Sequence, residues 1–95
     1  MSQPEMKIWP NGSKEWYLNG FLHREDGPAV EEPDGRKKWL LNGQYHREDG
    51  PAIEWPDGSK EWFLNGKQAT WQQVYRQAKT PEIELRILTA ALTNA

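Results

Sequence analysis

Two copies of one charged segment contain the residues best suited to chemistry. His23-Arg24-Glu25-Asp26 recurs as His46-Arg47-Glu48-Asp49, and each copy continues with Gly-Pro-Ala. An imidazole beside carboxylates can bind a metal or transfer a proton. The spacing His-x-x-Asp is unspecific, however, and no nucleophile recurs beside it. We therefore interpret both copies as turns, in which His or Arg bonds to a neighbouring strand or pairs with an acid, and we expect neither catalysis nor a metal site.

Both copies belong to a 23-residue repeat that runs almost three times. A W-x-L-N-G segment occurs at 16–20, 39–43 and 62–66. A Pro-Asn-Gly or Pro-Asp-Gly turn keeps the same step at 10–12, 33–35 and 56–58. Asn-Gly between apolar runs predicts a tight hairpin turn, because both residues tolerate positive φ. Regular spacing in three separate series indicates a repeat architecture.

The turn positions predict an antiparallel β-meander of about six strands. Across the Asn-Gly turns, 13–18 should pair with 21–24 and 36–41 with 44–47. Across the Pro-Asp-Gly turns, 28–32 should pair with 36–41 and 51–55 with 59–64, while Lys7-Ile8-Trp9 takes the equivalent place in the first unit. The Gly-Pro pair in each return strand predicts a bulge or tight loop there.

Alternation along the strands assigns the two faces of the sheet. One face receives Trp16 and Leu18 and their repeat equivalents, namely Trp39, Leu41, Trp62 and Leu64. We expect this Trp/Leu face to be the core. The opposite face receives Tyr17, Leu40 and Phe63, so it needs cover from the tail or from another molecule.

After Gly66 the apolar spacing changes to that of helices. Thr70 and Gln73 have the form of a capping box, and Thr80-Pro81 begins a second helix. We predict short helices at 70–79 and 81–93 that cover a sheet face or form a dimer seam. The fold class is therefore α+β, as one domain (1–95) with a repeat sheet (6–66) and a helical tail (67–95).

Composition limits the possible functions. The net charge of −2 argues against direct nucleic-acid binding, and the absence of cysteine excludes disulfides and thiolate chemistry. We see neither a signal peptide nor an apolar run of the ~18 residues that a membrane span needs, so we expect a soluble, cytoplasmic protein. The six tryptophans favour a core of large side chains, although Trp9, Trp55 and Trp71 lie outside the main series and can serve a ligand.

The repeat resembles MORN repeats in its length and in its plan of one hairpin per repeat. The pattern W-x-L-N-G…H-R-E-D-G-P-A…P-D-G over residues 7–66 is more similar to a MORN-like repeat of phage and prophage proteins. The Tyr-x-Gly start and Gly-x-Gly step of MORN units are not present. The resemblance implies scaffolding or binding rather than catalysis. A phage origin further implies action in the host cytoplasm, such as blocking a defence system.

These observations favour a non-enzymatic protein that binds a host protein and inhibits a bacterial defence system. One alternative is an oligomeric sponge for a nucleotide signal, in which arginines contact phosphate and aromatic rings stack on the base. A second is a structural or assembly module, and the helical tail can provide a homo-oligomer contact. We expect no cofactor and no membrane partner. The predicted binding residues are Tyr17, Phe63, Trp55, Trp71, His23, Arg24, His46 and Arg47.

Overall fold

A computed structural model describes residues 3–93, so residues 1–2 and 94–95 of the predicted domain lie outside the described part. Ten short strands are followed by two helices. The strands are β1 (Glu5–Ile8), β2 (Lys14–Leu18), β3 (Phe21–Leu22), β4 (Val30–Glu31), β5 (Lys37–Lys38), β6 (Leu40–Leu41), β7 (Gln44–Tyr45), β8 (Ile53–Glu54), β9 (Lys60–Leu64) and β10 (Lys67–Ala69). The helices are α1 (Trp71–Arg76) and α2 (Pro81–Leu92).

The strands form an antiparallel meander in the order β1-β2-β4-β5-β8-β9-β10. The hairpin arm β3 pairs with β2, and β6 and β7 form a separate pair. This arrangement confirms the predicted α+β meander with two C-terminal helices. Ten strand segments replace the predicted six. The 23–29 and 46–52 segments leave the ladder, as their Gly-Pro pairs require, and so divide each return strand in two. The predicted strand 36–41 is also interrupted at Trp39, and β10 adds a strand at the start of the predicted helical tail.

The Asn-Gly turns have the geometry that their residue types predict. Asn19, Asn42 and Asn65 have φ values of 53°, 51° and 53°, and the glycine that follows each one also has positive φ. Strand register follows from these turns, with Tyr17 opposite Leu22 in the first hairpin. Tight turns therefore fix which residues of each unit meet across the sheet.

Two small apolar clusters stabilise the fold, one on each face of the sheet. Leu40 is 5% exposed and packs with Ala29 and Val30, beneath Leu22 and Tyr45. This cluster corrects the prediction that the Leu40 side of the sheet is the face that needs cover. The reason is local: the hairpin arms that carry Leu22 and Tyr45 supply that cover themselves.

The second cluster joins the helical tail to the Trp/Leu face. Trp62 packs against Val74 of α1 and Ile87 of α2, and both aliphatic side chains are fully buried. Trp16 and Trp39 remain half-buried, so the predicted core role of this face holds fully only in the third unit. The helices thus cover the end of the repeat array and leave the middle unit partly open.

Each helix begins with a threonine cap. The Thr70 hydroxyl accepts from the Gln73 N–H (3.2 Å), and the Gln73 side chain accepts from the Thr70 N–H (2.9 Å). Thr80 caps α2 in the same way and precedes Pro81. α1 ends at Arg76 rather than at the predicted 79, because the N–H groups of Gln77 and Ala78 donate to carbonyls three residues back, Val74 and Tyr75, instead of continuing the α-helical pattern. Neither helix has the length and apolar character that a transmembrane segment requires.

Candidate functional site

The repeated histidines join each unit to the next one. His23 Nδ1 accepts a hydrogen bond from the backbone N–H of Asn42 (2.9 Å), and His46 Nδ1 accepts from Asn65 in the same geometry (2.9 Å). The second ring nitrogen of His23 lies 3.3 Å from Glu25 Oε2. Both nitrogens therefore have partners, and the imidazoles act as links between units.

Main-chain bonds reinforce each link. The Arg24 N–H donates to the Leu40 carbonyl (3.1 Å), and the Gly43 N–H donates to the Leu22 carbonyl (2.8 Å). The same two bonds recur one repeat later, to the carbonyls of Phe63 and Tyr45. The residues at the start of each charged segment are therefore hydrogen-bonded to the Asn-Gly hairpin of the next unit.

The repeated arginines cover tryptophans. The Arg24 guanidinium lies 3.9 Å from the Trp16 ring centroid, and the Arg47 guanidinium lies 3.8 Å from that of Trp39. These distances are those of cation–π contacts. In the first two units, a planar guanidinium therefore covers one face of a half-buried tryptophan.

Internal acceptors also bind the guanidinium groups. Arg47 Nε donates to Asp49 Oδ1 (2.8 Å), and Arg47 Nη1 donates to the Pro51 carbonyl (3.0 Å) and to Glu54 Oε2 (3.1 Å). A Cβ at Gly50 would lie 2.7 Å from Arg47 Cζ, so only glycine lets the guanidinium fold back this closely. The geometry at Arg24 is equivalent. An incoming phosphate would have to displace these carboxylates.

The charged segments and α2 enclose one open groove of about 680 Å³. Its apolar lining residues are Trp39, Leu41 and Ile83 of α2. The other lining residues are Arg24, Glu25, Asp26, Gly27, His46, Arg47, Glu48, Asp49 and Arg86. The fold therefore brings together three of the predicted binding residues, Arg24, His46 and Arg47.

The groove carries an excess of exposed acidic groups. The side chains of Glu25 and Asp26 are 81% and 86% exposed, and that of Glu48 is 52% exposed. The three arginines of the lining pair with acids, and Arg86 is itself 68% exposed. The lining holds four acids (Glu25, Asp26, Glu48 and Asp49) against three arginines (Arg24, Arg47 and Arg86), so its net charge is negative with the histidine neutral.

An ion pair fastens α2 to the groove. Arg86 Nη1 donates to Asp49 Oδ2 at 3.2 Å. Burial raises the pKa of Asp49, but the hydrogen bonds and charges of Arg47 and Arg86 outweigh burial and hold the pKa below its ordinary value. Asp49 is thus an anion that positions one wall of the groove.

The four predicted aromatic residues lie elsewhere, in separate local contacts. The Tyr17 hydroxyl donates to Glu15 Oε1 (2.7 Å), which raises the pKa of the phenol together with burial and the carboxylate charge. Phe63 packs against Tyr45 with ring centroids 5.1 Å apart. The remaining two are half-buried: Trp55 donates from Nε1 to Glu61 (2.7 Å), and Trp71 packs beside Trp62.

Sequence reasoning missed the part of the groove lining that α2 and Leu41 supply. Ile83 and Arg86 lie in the tail, and no local pattern shows that α2 returns beside the second repeat. Strand alternation predicts Leu41 to lie in the core on the Trp/Leu face, whereas it is half-buried and lines the groove. The helical tail has therefore two roles, since it closes the third unit and shapes a surface on the second.

Within residues 3–93, no group of three or more His, Cys, Asp or Glu side chains has an arrangement that can hold a metal ion. No protein-family model, curated protein or solved structure matches the chain. The resemblance to MORN-like phage repeats thus stays a prediction that rests on the motifs.

Proposed function

We propose that this chain is a non-enzymatic binding protein that captures a protein partner in the groove between the charged segments and α2. The observation that carries the proposal is the composition of that groove. The groove lining combines three apolar side chains, Trp39, Leu41 and Ile83, with the exposed acids Glu25, Asp26 and Glu48. Such a surface suits a basic segment that carries one apolar anchor.

The resemblance to phage repeats supports a bacterial host protein as the target. We place its action in the host cytoplasm, with a component of a defence system as the target class. Binding alone suffices for inhibition when the partner's basic segment is the part that contacts nucleic acid or another subunit. The groove then acts by occupying that segment.

The nucleotide-sponge alternative receives less support from the geometry. Arg24 and Arg47 are the phosphate ligands that it requires, and both guanidinium groups already bind carboxylates and a carbonyl. Exposed Glu25 and Asp26 would also repel a phosphate at the groove entrance.

Affinity capture from a bacterial host lysate, followed by native mass spectrometry, tests the proposal. The wild-type chain should retain a protein, and the variant with Glu25→Lys and Glu48→Lys should lose it, because the charge at these two positions is reversed. Glu82→Lys is the matched control, since Glu82 is an exposed acid of α2 outside the groove lining. Retention should also weaken as salt concentration rises.

Equal capture by the wild type and the double charge reversal would overturn the groove as the binding surface. A retained mass of a few hundred daltons, together with stabilisation by nucleotides in a thermal-shift assay, would favour the sponge instead. Thermal unfolding of every variant should first show that the fold is intact.

A further inference from the structure

Among the strands that the structure describes, none pairs with the outer edge of β1, the first strand of the sheet. β1 stands at the end of the strand order, and all four of its residues are exposed. Met6 is 48% exposed and Ile8 is 59% exposed, which is high for large apolar side chains in a strand. The unpaired backbone groups of an exposed edge strand are a template for another strand.

The register identifies the backbone groups that face outward. The Trp9 N–H donates to the Ser13 carbonyl (2.9 Å), so the backbone of Trp9 faces β2. Lys7 lies opposite Glu15, and Glu5 lies opposite Tyr17. Because bonded and non-bonded pairs alternate in an antiparallel ladder, Lys7 and Glu5 also bond to β2. The N–H and C=O groups of Met6 and Ile8 therefore point to the open edge.

We propose that β1 pairs antiparallel with β1 of a second copy of this chain, about a two-fold axis at Met6. In this register the two Met6 residues exchange backbone hydrogen bonds, and each Ile8 N–H meets the partner's Pro4 carbonyl. Each Glu5 then lies directly opposite the partner's Lys7. An isologous contact makes this ion pair twice.

Charge selects this register over its neighbours. A two-fold axis at Lys7 would place two ammonium groups directly opposite one another, and an axis at Glu5 would do the same with two carboxylates. Like charges in these positions destabilise a strand pair. Within residues 3–93, neither Glu5 nor Lys7 forms an ion pair, and the Lys7 ammonium lies over the Trp9 ring, so no acid within the chain neutralises the lysine charge.

The two faces of the new strand pair are also complementary. Met6 lies opposite Trp16 on the Trp/Leu face, so a dimer would place both Met6 side chains together there. Lys7 already lies 3.9 Å above the Trp9 ring on the other face, which restricts the lysine near the edge. An edge contact of this length buries less than the ~1,200 Å² of a standard interface, so we expect a weak dimer that dissociates on dilution.

Sedimentation equilibrium on the full chain tests the proposal through charge exchange. The wild type should dimerise, whereas Lys7→Glu and Glu5→Lys should each raise the dissociation constant by about tenfold or more. An equimolar mixture of these two variants should form a heterodimer, and the double variant Glu5→Lys with Lys7→Glu should dimerise like the wild type. Lys67→Glu, on β10 at the far edge, is the control and should change nothing.

Met6→Pro gives a second, backbone test. It removes an N–H that points outward, so the chain should stay folded by thermal unfolding while the dimer is lost. A wild-type monomer at millimolar concentration would overturn the proposal. A dimer that survives these variants but is lost on replacement of Leu85 and Leu92 by serine would also overturn it, because the helical tail would then form the contact. Open polymers rather than dimers would indicate pairing of β1 with β10 and would likewise exclude the two-fold contact.

Discussion

His23 and Asn42 are 19 residues apart in the chain, yet the imidazole Nδ1 of the first accepts the backbone N–H of the second at 2.9 Å. The bond connects the charged segment of one repeat with the hairpin turn of the next. His23, whose neighbouring carboxylates allow a catalytic interpretation, is therefore a connector between units. The function of the protein therefore has to be sought on the surfaces that these connectors build.

Replacing His23 with alanine should destabilise the fold by about 1–3 kcal/mol, because a part-buried N–H of Asn42 loses its acceptor. His46→Ala should cost less, since its bond to Asn65 is more exposed to water. Urea unfolding of both variants measures the difference. If both variants lost the same free energy of unfolding, burial would not make the His23–Asn42 hydrogen bond the stronger of the two.

The hairpin glycines provide a matched pair of substitutions. Gly20 and Gly43 have φ values of 82° and 79°, so alanine is strained at both positions by about 1–2 kcal/mol. A Cβ at Gly43 would also lie 3.2 Å from the Phe21 ring, whereas Gly20 has open space. Gly43→Ala should therefore unfold at lower denaturant than Gly20→Ala. When Phe21→Ala is added to each glycine variant, the difference in stability between them should become smaller. If that difference does not change, contact with the Phe21 ring is not its cause.

The helical tail contains a buried and an exposed aliphatic residue only two positions apart. Ile87 is fully buried, and Ile87→Ala should reduce the free energy of unfolding by about 2–5 kcal/mol. Leu85 is 66% exposed, and Leu85→Ala should change the free energy of unfolding by less than about 0.5 kcal/mol. Chemical denaturation monitored by tryptophan fluorescence measures both. A large effect at Leu85 would indicate that another molecule covers it.

The lowered pKa of Asp49 makes stability depend on acidity. Because the folded-state pKa lies below the unfolded value of about 3.8, the stabilisation is present at neutral pH and is lost as the pH falls through the folded pKa. Asp49→Asn should lower the melting temperature at pH 7 and flatten its decline below about pH 4. Asp26→Asn is the repeat-matched comparison, since the Asp26 side chain is 86% exposed and should contribute less at pH 7. If the melting temperature of Asp49→Asn falls in acid as steeply as that of the wild type, groups other than Asp49 cause the pH dependence.

Local residue types predicted the hairpins and the helix starts. The positive φ of Asn19, Asn42 and Asn65 follows from turn chemistry, and the caps at Thr70 and Thr80 follow from hydroxyl placement. The charged segments were correctly interpreted as turns in which His and Arg bond to neighbours. All of these features involve residues close in sequence or repeated at fixed spacing.

Contacts between distant segments were not predictable in the same way. Nothing near Arg86 indicates that it pairs with Asp49, 37 residues earlier, and the groove depends on that approach. The buried state of Leu40 also escaped prediction, because alternation gives the face of a residue but not which arms fold over it. Packing of the tail and of the hairpin arms decides these features.

Each linking histidine bonds to the unit that follows it in the chain. In the last unit, Ala69 occupies the position of His23 and His46, so no further link is formed there. Thr70, in the position of the arginines, starts a helix instead of a charged segment. If a gene duplication inserted one more identical unit before Ala69, the histidine of the preceding unit would bond to the new hairpin turn, and the histidine of the new unit would bond to the next one. The array can lengthen in steps of one unit, and every step would add a further charged segment without redesign of the cap.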